Sequence, residues 1–525
     1  MSDQKQVSSF TDGELNDLIK KTPPNGKKRS IPLIAAVATL GSLLFGYDTG
    51  VLAGALPYLY MPNAAGGLHL NPVEEGLVGG LLMVGAGFGA IIGGRLSDRY
   101  GRRHNILLLA AIFFFGALGC SLSLNFWMLC IFRIILGFAV GGASATVPVY
   151  LAETAPKEVR GPIVAIDQFM IVFGQFLAYS MNAIIARINH GPHVITEAGE
   201  SIDWDHAKAM SDLVVVGGNG ATWRYMLILA TIPAIALWIL MRTMPETSRW
   251  YAAKHRYHEA IASLKRVRDP KKHNLGLEVR EMIEVNREYE NQPQMTLRQV
   301  FATQWTRKVL FLGVAISIID PLTGINTAMY YMPKVLHAAG FSSENAIMLN
   351  VVTGFFSCIG AAIGIYFVAR FARRHVAMYQ ETGIVLSLFG LAALFFWVIE
   401  PHMDEAGNIA STVPTFAPWA VLVIITAFLF FKQSGTVTWV LVSEIFPANT
   451  RGVSQGTAVS VNWFANAVIT AIFPSMMAYL GGAKTYLVFA LINCVSLYFY
   501  TKILPETKYH TLEELEAEFE KRYSK

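Results

Sequence analysis

The chain has 525 residues and a formal charge of +5, with 15% charged against 53% hydrophobic residues. A soluble domain carries about 25% charged residues, and the mean hydropathy here is +0.42, so a water-soluble enzyme or binding module is excluded. The basic residues cluster at the ends of apolar runs rather than on one polar face, which excludes a nucleic-acid surface.

Residues 1–31 are polar and form an N-terminal tail. Six apolar segments follow, at 32–58, 74–95, 104–124, 127–150, 161–188 and 222–243. A polar stretch at 244–305 comes next; within it HEAIASLKRVRD and LGLEVREMIEVNREYE have the periodicity of short amphipathic surface helices. Six more apolar segments lie at 306–334, 343–370, 375–399, 418–446, 451–479 and 484–503, and a polar tail covers 504–525. Each segment is close to the roughly 20 residues that cross a bilayer as a helix. The predicted architecture is therefore an all-α membrane protein of twelve transmembrane helices. It comprises an N-terminal bundle (32–243), a linker with short helices (244–305) and a C-terminal bundle (306–503).

Charge bias orients the chain. Lys27, Lys28, Arg29, the run RLSDRYGRRH, Lys157, Arg160, the linker, ARFARRH, Arg451, Lys521 and Arg522 all fall on one side, whereas loops 59–73 and 400–417 contain no Lys or Arg. The positive-inside rule then places both termini in the cytoplasm. The long loop 189–221 faces outward, and the sequence assigns it no role. Cys120, Cys130, Cys358 and Cys494 all lie in apolar segments and read as inert thiols. No metal-ligand cluster, cofactor motif or Walker-type loop is present, and no nucleophile–base pattern points to an enzyme.

Asp48, Arg133, Asp167, Asp320 and Lys432 stand out among the charges inside apolar segments. A charge at membrane depth is costly unless paired or hydrated, so each marks a functional position. The two halves also repeat one another. LSDRYGRRH after segment 2 returns as VARFARRHV after segment 8, and YLAETAPKEVRG after segment 4 returns as LVSEIFPANTRG after segment 10. MPETSRW and LPETKYH close the two halves. Paired six-helix repeats around a central cavity are a transporter architecture. Gly85, Gly89 and Gly93, and likewise Gly137 and Gly141, recur every four residues and predict close helix packing.

These motifs, with LFGYDTGV, RIILGFAVGGASATVPVYLAETAP, RGPIVAIDQFMIVFGQ, PETSRW, LTGINTAMYY, SEIFPANTRG and PETK, span about 30–515. They resemble the sugar porter family of the major facilitator superfamily, nearest to bacterial proton-coupled porters for pentoses, hexoses and inositol. The resemblance implies a major facilitator fold and a segment 1 acid, Asp48, facing the segment 4 arginine, Arg133, as the proton-coupling pair. It implies sugar contacts at Gln168, Gln175, Asn326, Trp439, Asn462 and Trp463. A lattice of salt bridges, broken when the carrier opens inward, would comprise Asp98, Arg102, Arg103, Glu153, Arg160, Glu246, Arg249, Arg373, Glu444 and Arg451. Physically, burial raises an acid's proton affinity and a nearby cation lowers it, so a changing Asp48–Arg133 distance would bind and release a proton. Sugars present hydroxyls and apolar faces, which amides and aromatic rings match; Gln168 and Gln175 share one face of their helix.

The chain departs from the family at three places. Asp320-Pro321 stands where paired glutamines are written, Lys432 replaces an apolar residue, and Thr436 replaces a proline. An unpaired acid and an unpaired lysine at membrane depth would each be costly, so Asp320 and Lys432 are expected to pair beside the substrate cavity. The expected function is proton symport of a monosaccharide or cyclitol by a monomer in the cell membrane, with no cofactor or metal. The alternatives are a proton-independent facilitator, a symporter of a polyhydroxylated carboxylate such as a sugar acid or quinate with Lys432 as counter-ion, and a non-transporting sensor.

Overall fold

The computed structural model describes residues 12–523 apart from 157, 209, 211–212, 270–273, 292–294, 404–412, 436, 448 and 509–511. Lys157 and Thr436 lie outside the described residues. Among those described, eleven helices are long and apolar enough to cross a membrane: α1 (Ile31–Leu59), α2 (Pro72–Tyr100), α3 (Arg102–Ser121), α4 (Phe126–Thr154), α5 (Arg160–Ile188), α6 (Thr222–Met241), α7 (Gln304–Ala338), α8 (Ser343–Arg370), α9 (Arg373–His402), α10 (Phe416–Glu444) and Arg451–Lys502. The last is 52 residues long and breaks at Gly481, where φ is 81° and ψ 170°. At 1.5 Å per residue it is more than twice a bilayer's thickness, so it makes two crossings, α11 before the break and α12 after it.

Glycines set the tight pairs. A Cβ on Gly46 of α1 would fall 1.7 Å from the Ile171 carbonyl oxygen of α5, and one on Gly174 would fall 2.2 Å from that of Leu43. The four-residue stripes bring α2 and α4 together in the same way: Gly85 and Gly89 meet the Ile134 and Phe138 carbonyls, and Gly137 and Gly141 those of Leu82 and Ala86. Backbones approach where no side chain intervenes.

The break in α7 follows from its sequence. Pro321 has no N–H to give to the carbonyl four residues earlier, and Asn462 of α11 takes that Ser317 carbonyl instead at 2.7 Å. Gly324 then adopts φ 81°. Thr323 Oγ1 donates to the Asp320 carbonyl at 2.7 Å and Asn493 of α12 to the Leu322 carbonyl at 3.1 Å. Irregular backbone at membrane depth persists only where neighbouring groups satisfy it.

Both termini and the linker share one face, called here the terminal face: Lys265 in the linker donates to carbonyls at Ile19 and Thr22, and Lys308 to that of Tyr523. Linker helices run over Ser248–Ala253, Tyr257–Val267, Leu275–Asn291 and Leu297–Ala302. At the opposite face, the loop between α5 and α6 folds into a three-stranded antiparallel sheet. Its strands are β1 (His193–Thr196), β2 (Ser201–Asp203) and β3 (Val215–Gly218), with β1 in the middle.

Ties between the two bundles lie at mid-depth and toward the opposite face. Gly76 and Gly80 of α2 abut Ala471 of α11, and Gly354 of α8 abuts Tyr179 of α5. The Phe88 and Phe464 rings meet edge-on at 5.6 Å. Nearest the opposite face, Lys334 of α7 donates to Glu75 of α2, which also accepts from Tyr60 at 2.5 Å.

Candidate functional site

The space between the bundles is lined from both sides. In the N-terminal bundle, Asp48 and Arg133 are buried to 1% and 0% exposure. Arg133 Nη1 donates to both Asp48 oxygens, at 3.0 and 3.2 Å, and its Nε donates to the Val78 carbonyl at 3.1 Å. One guanidinium thus joins α1, α2 and α4, while its Nη2 has no partner among the described residues. Asp167 is accounted for separately: Ser42 of α1 donates to it in a buried contact. Gln175 is buried and donates to Thr49 Oγ1 at 3.3 Å and, across the bundle boundary, to the Met329 sulfur at 3.0 Å. Gln168, two turns below on the same helix, is half-buried.

In the C-terminal bundle, Asn326 donates to Asn466, which donates to Asn462 Oδ1 at 3.2 Å. Asn462 in turn holds the Ser317 carbonyl freed by Pro321. This amide chain joins α7 to α11. Trp463 is buried beside Phe45 of the other bundle, with ring centroids 5.6 Å apart, and its indole N–H has no partner among the described residues. Trp439 is half-buried on α10. Lys432 Nζ donates to Asp320 Oδ1 at 2.6 Å, with the lysine side chain 4% and the aspartate 13% exposed. With the Gln380 amide oriented so that its nitrogen faces the Gly435 carbonyl, its oxygen accepts from the same ammonium at 3.1 Å.

The charges at the terminal face make ties within each half. Arg102 bridges Asp98 at 2.9 Å and Glu153 at 3.0 Å. Glu246 accepts from the backbone N–H of Arg102 and Arg103, and Arg103 donates to the Met241 and Arg242 carbonyls. Arg373 reaches Glu444 at 3.3 Å, and Arg451 donates to the Phe446 carbonyl rather than to an acid. Glu506, which the sequence reading passed over, accepts from the backbone of Arg373 and Arg374 as Glu246 does in the first half. No ion pair to Arg160 or Arg249 occurs among the described residues, and the Arg160 Nε is buried without a partner.

At the opposite face the loop between α5 and α6 clasps the second bundle. Asp205 accepts from the backbone N–H and the hydroxyl of Ser343, both at 2.7 Å. Its carboxylate also lies 3.3 Å from Lys208 and 3.6 Å from His337. Burial alone would raise the Asp205 carboxyl; His337, the Ser343 donors and Lys208 more than offset it and hold it below the usual carboxylate range.

Sequence reasoning missed Glu75, Lys334, Gln380, Glu381 and Asn466. Asn466 was detectable from its four-residue spacing after Asn462, and Glu381 as an acid inside an apolar run.

The family described as "Sugar (and other) transporter" matches residues 34–519. The chain belongs to this family. It is 38% identical over 488 residues to the major myo-inositol transporter IolT of Bacillus subtilis, covering 93% of each chain. It is 31% identical over 499 residues to a D-xylose transporter of Levilactobacillus brevis, covering 94% of this chain and 96% of the relative. Among solved structures it is similar to the partially occluded inward-open conformation of the xylose transporter XylE from E. coli, with a TM-score of 0.72 at 27% identity over 92% of this chain and 99% of that one. The major facilitator fold expected from the sequence is therefore established, and the protein is a multi-pass membrane transporter of the sugar porter type, not an enzyme.

Proposed function

We propose that the chain is a secondary active transporter that moves a monosaccharide or cyclitol together with a proton by alternating access. It would act as a monomer in the cell membrane, with the terminal face in the cytoplasm. The observation that carries this reading is the buried Asp48–Arg133 pair, with buried amides and aromatic rings on the helices of both bundles. An acid paired with a cation on a neighbouring helix gains or loses a proton when those helices move apart. Gln168, Gln175, Asn326, Asn462, Trp439 and Trp463 supply the donors, acceptors and ring faces that a polyol needs. Relatives named for myo-inositol and xylose support the substrate class, and a structure titled a proton:xylose symporter, 28% identical, supports the coupling. The ties at the opposite face, with the likeness to an inward-open conformation, favour a state closed to the outside. In that state the lattice at the terminal face would have let go between the bundles, which agrees with its surviving ties lying within each half. Because Lys432 already meets Asp320 and Gln380, a carboxylate substrate gains less support than a neutral polyol.

The test is uptake into proteoliposomes. Asp48→Asn should abolish uphill accumulation driven by a proton gradient while sparing counterflow exchange. Accumulation at the parent level in that variant would remove Asp48 from the coupling role.

A further inference from the structure

Glu381 is a buried acid of the C-terminal bundle to which the reading above gives no role. It lies on α9 with 0% exposure, and both carboxyl oxygens lack a hydrogen-bond partner among the described residues. An ionised carboxylate without donors is strongly disfavoured in such surroundings, so the group is held in its neutral form. The charged or titratable groups that face it are Lys432 from α10, Asp320 from α7 and Tyr500 from α12. Lys432 has three N–H donors; Asp320 and Gln380 engage two of them. Gln380 precedes Glu381 on α9, so the ammonium already touches the helix that carries the second acid. The half-chain repeat adds a parallel. Segment 7 repeats segment 1 and segment 10 repeats segment 4, so Asp320 facing Lys432 restates in the second bundle the arrangement of Asp48 facing Arg133.

We propose that Glu381 is a second proton-carrying carboxyl, and that Lys432 changes partner from Asp320 to Glu381 when Glu381 gives up its proton. The O–H bond of Glu381 breaks, the proton passes to water in the open cavity, and Lys432 keeps its charge throughout. With the proton bound, the cluster is neutral: one lysine, one aspartate, one neutral glutamic acid. With the proton lost, Lys432 turns toward Glu381, the tie between α10 and α7 at Asp320 opens, and the polyol held between those helices leaves with the proton. Proton and substrate occupancy are thereby linked through one ammonium. The inference rests on the symport reading above, but its site is in the other bundle and can fail separately.

Two measurements on the purified full-length protein test it. Infrared spectroscopy should detect a protonated buried carboxyl at neutral pH that weakens at high pH and shifts when myo-inositol or xylose is added, and Glu381→Gln should remove that component from the spectrum while leaving any contribution of Asp48 and Asp167. That variant imitates the protonated form and should fold; failure to fold would itself contradict a neutral Glu381. In proteoliposomes, Glu381→Gln should move half as many protons per substrate as the parent while still accumulating it. A carboxyl spectrum unchanged by Glu381→Gln, or a Glu381 component insensitive to both pH and substrate, or an unchanged proton-to-substrate ratio, would overturn the proposal. Retained accumulation in Asp48→Asn would instead overturn the coupling role given to Asp48, and leaves the infrared result on Glu381 to be read independently.

Discussion

Lys432 is tolerated within an aromatic stretch of α10 because its ammonium never stands alone: a carboxylate at 2.6 Å and an amide oxygen at 3.1 Å surround it. Removing one partner strands the other, at a cost of about 3–5 kcal/mol for a buried pair. Asp320→Asn and Lys432→Met should therefore each lower the melting temperature, and the double variant should recover part of the loss, since no unpaired charge remains. A cycle of melting temperatures in detergent measures this coupling; strictly additive effects would mean that the contact has no energetic weight. Both residues were legible in the sequence, because a charge amid Leu, Ile and Phe has no bland explanation. Glu381 escaped notice for a physical reason. It follows the arginines that open α9 by only two turns and so reads as a charge near a helix end unless the apolar run on both sides of it is weighed.

Among the elements, the spans were readable from hydropathy, and the glycine stripes from their spacing, because both are local properties of one helix. The outer sheet was not. Its strands have 4, 3 and 4 residues, too short for an alternating pattern to stand out. Similarly, the sequence marked Asp320-Pro321 as unusual but could not show that Asn462 would answer the carbonyl that Pro321 leaves free. The sheet's clasp on α8 should depend on pH. Because the Asp205 carboxyl is held below its ordinary range, its contribution is full above the usual carboxylate pKa and is lost as pH falls through the lower folded-state value. Amide hydrogen exchange across the outer loop should therefore accelerate on acidification in the parent. In Asp205→Asn it should be fast at every pH; an equally protected loop in that variant would show that the Ser343 contact does not hold it down.

For the whole molecule, closure at the opposite face rests on few polar ties, and Lys334 with Glu75 joins the bundles most directly. Glu75 is 1% exposed and Lys334 24%, so Lys334→Met removes the cation from an enclosed acid. The population open at the opposite face should rise severalfold, corresponding to about 1 kcal/mol or more. Distances between spin labels at Asn63 and Ser342 would report it, and an unchanged distribution would assign closure to packing alone. The contact between Gln175 and the Met329 sulfur bears on a different part of the cycle. On the proposed reading the carrier returns unloaded, and Gln175, proposed to greet a substrate hydroxyl, would then face the closing seam with nothing to hold. The methionine is a soft, adjustable stand-in that meets the amide from the other bundle. On the proposed reading, the empty return stroke is smoothed by a residue that yields its place to cargo, so the same seam can seal over a full binding pocket or a vacant one.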